Sequence, residues 1–360
     1  MLKKFQSFLT LCLVYAGLGS SSEIAYEYKD GSMCPPKDGG ICVTDQQPNH
    51  PCPDTWRFSG DFLYLLPTVD DTYYVLDGAP GIATPNGTRK NNDFGYSPGF
   101  RLGAEFACCD HHREVQASFA FLGTQQNRTI SGDNLWASVG RPDFSDLFEN
   151  YAGTASSHLQ LYYEQLDVNF SQQMGNSYGM YFYFQPGIEY AYLRLNERIS
   201  YFEEVAPRLG QIDEKSSLWG VGPQIGLVLD ANFLHERLTC STTHAFSFIA
   251  QFSGSLLVGR GKTTNFESVT TPVDGTGTLL SVKDEHTLRT FPALHARAGL
   301  SYNISGEDVG GSLEIGYEFN SYLRALSRSI FVDDVADALA LTNYYNFDVQ
   351  GLYVSAKLSF

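Results

Sequence analysis

The densest group of metal-capable side chains in this 360-residue chain is Cys108-Cys109-Asp110-His111-His112. Thiolate, imidazole and carboxylate are the donors that borderline and soft cations select. Five consecutive residues do not converge on one ion, however, because neighbours on extended backbone point to opposite faces. The run reads as a polar turn that carries cysteines, and no metal site is expected. Ser-His-acid catalysis needs a geometry that spacing alone does not supply. His158 and His286 stand among scattered acids and read as solvated loop residues. The 34 glycines fall largely at alternate positions in extended segments, where they relieve crowding, and form no phosphate-cradling loop. A net charge of −16 offers no basic face to nucleic-acid phosphates. No catalytic residue, cofactor or nucleic-acid partner is expected, and the chain is not read as an enzyme.

The remaining chemistry lies in charged residues interleaved with apolar ones: Arg57, Asp61, Arg101, Glu105, Glu114, Asp167, Glu189, Arg289, Arg297, Glu314, Glu318, Arg324 and Lys357. A period of two is the signature of strands with one apolar and one polar face. Trp56, Phe58, Phe62 and Tyr64 alternate with Arg57, Ser59 and Asp61. Phe100, Leu102 and Phe106 oppose Arg101 and Glu105, and Val115, Phe119 and Phe121 oppose Glu114 and Gln116. The same pattern recurs around 166–170, 180–192, 219–230, 246–258, 288–302 and 313–319. It ends on Leu352, Val354, Ala356, Leu358 and Phe360. That gives ten strands. Abundant aromatics (25 Phe, 22 Tyr) together with a polar-looking average suit strands that face lipid on one side and water on the other. A soluble β-sandwich also alternates, and is the competing architecture.

The two ends of the chain decide between them. Met1-Leu2-Lys3-Lys4, a short apolar run from Phe8 to Leu18 and small residues at Gly19–Ser21 make a secretory signal, with cleavage expected between Gly19 and Ser22. Residues 1–21 are therefore leader and residues 22–54 a periplasmic segment containing Cys and Pro. Residues 55–360 form an all-β, antiparallel, up-and-down transmembrane β-barrel. Connections alternate in length: 107–113, 171–177 and 303–310 are short and 231–243 moderate, while 67–96, 124–157, 196–215, 260–286 and 325–347 are long. Short turns belong to the periplasm and long loops to the outside, which places both termini in the periplasm. Val273-Asp274-Gly275 could turn a further hairpin, extending its neighbours or raising the count to twelve. Residues 331–341 read as a short amphipathic helix in the last outer loop. Trp56, Phe106, Phe170, Tyr302 and Phe360 fall at periplasmic strand ends, and Trp219 at an outer end, as an aromatic girdle requires.

Several segments carry a resemblance: Trp56-Arg57-Phe58-Ser59-Gly60-Asp61-Phe62-Leu63-Tyr64, Gly220 through Leu227, Ser253 through Gly259, and the ending Gln350 through Phe360. In these the chain resembles the pore-forming outer-membrane proteins similar to the Legionella major outer-membrane protein, a family also found in chlamydia-related bacteria. The resemblance implies a barrel in the bacterial outer membrane and pore formation. Phe360 and the alternation before it look like the terminal signal read by the barrel assembly machinery. The expected function is passive diffusion of ions and small polar solutes past the thirteen charged residues. The alternatives are a structural or adhesin-type barrel without an open pore and, behind it, an outer-membrane enzyme. Cys34, Cys42, Cys52, Cys108, Cys109 and Cys240 are even in number and all fall on the periplasmic side. They are disulfide candidates within the chain, between copies of it, or with other envelope proteins.

Overall fold

The computed structural model describes residues 55–70, 72–78, 86–107, 113–140, 142–177, 179–237, 243–272, 274–283, 287–305, 310–331 and 340–360. Thirteen strands make one antiparallel sheet. Ten of them close a ring: β1 (Thr55–Val69), β4 (Ser97–Ala107), β5 (Arg113–Ala137), β6 (Tyr151–Ser177), β7 (Met180–Glu203), β8 (Arg208–Arg237), β9 (Thr243–Thr271), β11 (Thr287–Ser305), β12 (Gly310–Phe331) and β13 (Ala340–Ser359). The seam is β1 on β13, in register from Arg57↔Ser359 to Val69↔Phe347. Closure removes the open edge that a lipid environment forbids, because each wall strand then has a neighbour on both sides. The three strands outside the ring are β2 (Tyr73–Gly78), β3 (Gly87–Asn91) and β10 (Gly275–Lys283).

The ten ring strands are those the alternation predicts. Past Val273, which lies outside the described residues, the chain adds no ring strands: β10 runs back along β9 from Gly275↔Thr271 to Lys283↔Thr264 and extends the sheet there. Outward apolar side chains are exposed around the ring, among them Phe62, Leu102, Ile225, Phe252, Leu300, Ile315 and Leu352. Aromatic contacts mark the end nearest the termini: Trp56 lies 5.0 Å from Phe106, Phe58 6.0 Å from Phe360, and Phe246 4.8 Å from Tyr302.

One expectation needs correction, and a second, the helix over 331–341, lies mostly outside the described residues. Much of 124–157, 196–215 and 260–286, expected as outer loop, is strand. β8 runs for 30 residues and β9 for 29, where a tilted spanning strand needs about 10. The wall therefore continues well beyond the lipid-facing band. Its outer part is Ser- and Thr-rich, which weakens the apolar alternation although the backbone ladder goes on. Within 331–341, Phe331 ends β12 and Ala340 and Leu341 begin β13, while 332–339 lie outside the described residues. Residues 1–21, expected as leader, the 22–54 segment and all six disulfide candidates also lie outside them.

Candidate functional site

The barrel interior is layered. Nearest the termini is a polar chamber of about 280 Å³. Ten of the thirteen sequence-predicted residues line it: Arg57, Asp61, Arg101, Glu105, Glu114, Asp167, Arg297, Glu314, Glu318 and Lys357. They converge because residues at even spacing on each strand share the inward face. The basic groups are held between acids. Arg101 spans Asp61 (3.0 Å) and Glu318 (2.8 Å), and Arg297 spans Asp61 (3.2 Å) and Glu314 (3.2 Å). Arg57 meets Glu114 at 3.0 Å, and Lys357 meets Glu105 at 2.7 Å. The Arg297 guanidinium also lies 3.8 Å from the centre of the Tyr353 ring. Asp230 joins the lining, so seven acids face four bases, a formal excess of three negative charges.

Glu189 sits at the ceiling of the chamber, fully buried. Its two oxygens are tied separately: Oε2 lies 2.9 Å from His295 Nε2, and Oε1 accepts the Tyr322 hydroxyl at 2.8 Å. His295 Nδ1 is 2.9 Å from Asn320 Oδ1. His295 is absent from the thirteen because only charge was counted, yet its place on the polar face of its strand was visible in the alternation.

Above Glu189 the interior changes character. Nine of the ten ring strands turn apolar side chains inward and pack them into one cluster, including Leu63, Leu122, Tyr163, Leu193, Leu218, Leu257, Phe291, Tyr322 and Phe347. None of these nine exposes more than 2% of its surface. Tyr163, Tyr322 and Phe347 form its aromatic centre, with ring centroids 5.5–6.1 Å apart. The tenth strand, β4, places Gly99 at this level, opposite Leu63 and Leu122. Gly220 has a specific reason to lack a side chain: a Cβ there would stand 2.6 Å from Phe291 Cζ. The interior is thus crossed by a layer of closely packed, almost wholly buried apolar side chains.

Arg289 and Arg324 lie apart from the chamber. The described part of β12 has a register break between Tyr322 and Leu326, and Arg324 within it has φ of +56° and an exposed side chain. Arg289 Nη2 donates to the Ala325 carbonyl at 2.9 Å, and its guanidinium lies over Tyr344, as does that of Arg324. A bulge rotates side chains off the strand's regular faces, so counting by two fails from this point outward.

Outside the apolar layer lies a polar one. Arg328 Nη2 and Nε each approach a carboxylate at 2.6 Å, Glu197 Oε2 and Glu214 Oε2 respectively. A second apolar cluster sits outermost. It contains Phe144 from the short helix α1 (Pro142–Leu147), together with Phe148, Tyr151, Ile199 and Tyr201. The Tyr201 hydroxyl donates to the Tyr74 carbonyl. Among the described residues, no cluster of three or more His, Cys, Asp or Glu side chains is placed to hold a metal ion.

A closed antiparallel ring with a lipid-facing apolar band and a polar, charged interior defines an outer-membrane β-barrel. The chain matches the family described as the Legionella pneumophila major outer membrane protein precursor over residues 49–360, and it belongs to that family. It is a bacterial outer-membrane protein. No curated protein sequence matches it. Among solved structures it is similar to the outer membrane protease OmpT from Escherichia coli, at 11% identity and a TM-score of 0.38, covering 86% of this chain and 97% of that one. It is also similar to a mutant of the monoaromatic hydrocarbon channel TodX, at 9% identity and a TM-score of 0.30, covering 85% and 90%. A FadL homologue from Pseudomonas aeruginosa matches at 8% identity and a TM-score of 0.28, again covering 85% and 90%.

Proposed function

We propose that this protein is a narrow outer-membrane channel for ions and small polar solutes, shut in the conformation seen here. The observation that carries this reading is the charged chamber itself. Charge inside a barrel is costly unless it is paired or solvated. Here seven acids and four bases surround about 280 Å³ of open space rather than filling it. A wall built only as a scaffold has no need of that volume. The chamber is the periplasmic vestibule, and the apolar layer above it is the gate, since an apolar constriction blocks ions by excluding water. Ten strands lie near the closed end of the range, with about 8 enclosing packed side chains and 16–18 leaving a wide channel. The path is therefore narrow when open. No catalytic step enters this reading.

One observation favours a second reading, a structural barrel without a pore: nine of the ten ring strands send buried apolar side chains into the layer that crosses the lumen. Planar-bilayer recording of the purified full chain separates the two. Discrete current steps support the channel. A flat baseline over a wide range of voltage and pH supports the scaffold.

Assembly through the Phe360 terminus, and disulfides formed by the six mature-chain cysteines within the chain, between copies or to other envelope proteins, belong to the same proposal. Envelope proteins run without and with reductant test the disulfides. A ladder that collapses on reduction supports cross-linking, and thiols that are all free defeat the idea.

A further inference from the structure

The outer part of the β12–β13 hairpin leaves β11 while β11 runs on, and on its other side it extends past the end of β1 at Val69. The ladder joining β12 to β11 ends at Ala293↔Tyr322, although β11 continues outward to Thr287 along β9. The ladder joining β13 to β1 ends at Val69↔Phe347. Beyond these points the two strands pair with each other, from Leu326↔Tyr345 to Phe331↔Ala340. They form a two-stranded ribbon that is continuous with the wall only through the segment 323–325 and its partner near Asn346.

That segment is built as a hinge. The Arg324 backbone is left-handed, with φ of +56°, a conformation that non-glycine residues rarely adopt. Its amide donates to Asn346 Oδ1 at 2.9 Å, and the carbonyl of Ala325 takes its hydrogen bond from the Arg289 guanidinium on β11. Side chains thus replace the backbone ladder at the point where the ribbon departs.

The ribbon does not project into solvent. Its β12 strand reaches across the lumen to β7, β8 and β9. The Ser327 amide donates to Ser216 Oγ at 3.0 Å, and the Ser327 hydroxyl lies 2.7 Å from Thr263 Oγ1. Arg328 closes on Glu197 and Glu214, as described above. Leu326, Ser327 and Arg328 are buried, while Leu341, Thr342 and Asn343 on the other strand are exposed. The contact joins polar side-chain bonds to the buried side chain of Leu326, without a β-ladder to β7, β8 or β9, and leaves a cavity of about 30 Å³ bordered by Val69, Leu195, Glu214, Ser216 and Leu326. A backbone ladder does not slide apart in pieces, whereas a side-chain latch over an imperfect fit can release as a unit.

We propose that the outer ends of β12 and β13 form a hinged lid, latched by Arg328, that must lift before the lumen communicates with the outside. What the lid controls rests on the channel reading above, but its movement is measurable without any current.

The first measurement uses full-length protein carrying Ser327→Cys on intact cells. A membrane-impermeant maleimide is added, and modification at position 327 is followed by mass spectrometry. Labelling is slow in this parent. Adding Arg328→Gln, which removes the guanidinium that Glu197 and Glu214 share, speeds it about tenfold or more. Equal rates in two variants that both keep the heat-modifiable mobility of a folded barrel overturn the lid. If Arg328→Gln does not fold, Arg328→Lys takes its place and gives an intermediate rate, with parental rates again overturning the proposal. The second measurement uses Thr263→Cys with Ser327→Cys. Oxidation joins the two in a cross-linked tryptic peptide and silences current in a planar bilayer, and reductant restores it. Undiminished current through the cross-linked protein, or no cross-link in the folded protein, contradicts the lid. A parent that is silent in every redox state defeats the channel reading and leaves the labelling result to decide on the lid.

Discussion

Trp56 and Phe360 exchange both of their backbone hydrogen bonds, with Trp56 N to Phe360 O at 3.1 Å and Phe360 N to Trp56 O at 3.0 Å. The last residue of the chain therefore closes the seam against the start of the first wall strand. It also places an aromatic ring beside Phe58 at this end of the barrel.

Deleting Phe360 removes both of those bonds and the terminal aromatic. The expected result is loss of the heat-modifiable folded form from outer-membrane fractions, with unfolded chain accumulating in the periplasm. Replacing Phe360 with Tyr, which keeps the ring, retains assembly. Normal surface levels of the deletion variant would show that the terminus is dispensable.

In the proposed channel, charge in the chamber is expected to set ion preference. Arg297→Gln changes the formal excess among the lining groups from three negative charges to four. The reversal potential in a salt gradient is expected to shift toward cations. Arg289→Gln, at the hinge and outside the chamber, leaves that potential where it was. The opposite pattern would move the ion path to the hinge side of the barrel.

Accessibility on intact cells distinguishes outer strand from outer loop. The turn at 204–207 joins two long strands, and Val205 is 80% exposed there. Added protease is expected to cut at this turn and to spare 124–132, which is laddered to 153–161. Fast cleavage within 124–132 would mean that the wall ends lower than the ladder places it.

The wall was legible in the sequence because one face of each strand meets lipid. Phe58, Phe62, Leu102, Ile225 and Leu352 keep their period of two without interruption. The apolar layer left a different mark, and counting by two overlooks it. Leu63 and Leu65 flank Tyr64, Leu122 follows Phe121, and Leu257 lies between Leu256 and Val258. Such short continuous apolar runs are what a strand shows when both of its faces are buried. They occur on several strands at one level of the barrel, where inward side chains meet each other rather than water. The hinge was not legible. Arg289 and Arg324 have the charge and parity of lumen residues, and only the bulge on β12 takes them out of it. The latch was equally hidden, because Arg328, Glu197 and Glu214 come together through a fold of the ribbon that no local pattern encodes.

The central claim is that the apolar layer separates a polar vestibule from the outside, and Phe291→Ala tests it most directly. Phe291 is almost wholly buried, and its ring fills the space left by Gly220. Truncating it costs about 3–5 kcal/mol of stability by leaving a cavity, so a folded, heat-modifiable band is the prerequisite. In single-channel recordings the account predicts brief, infrequent openings for the unaltered protein. For Phe291→Ala it predicts several-fold longer or more frequent openings in the same bilayer. Recordings in which the two proteins cannot be told apart would contradict it, whether both conduct alike or both stay silent.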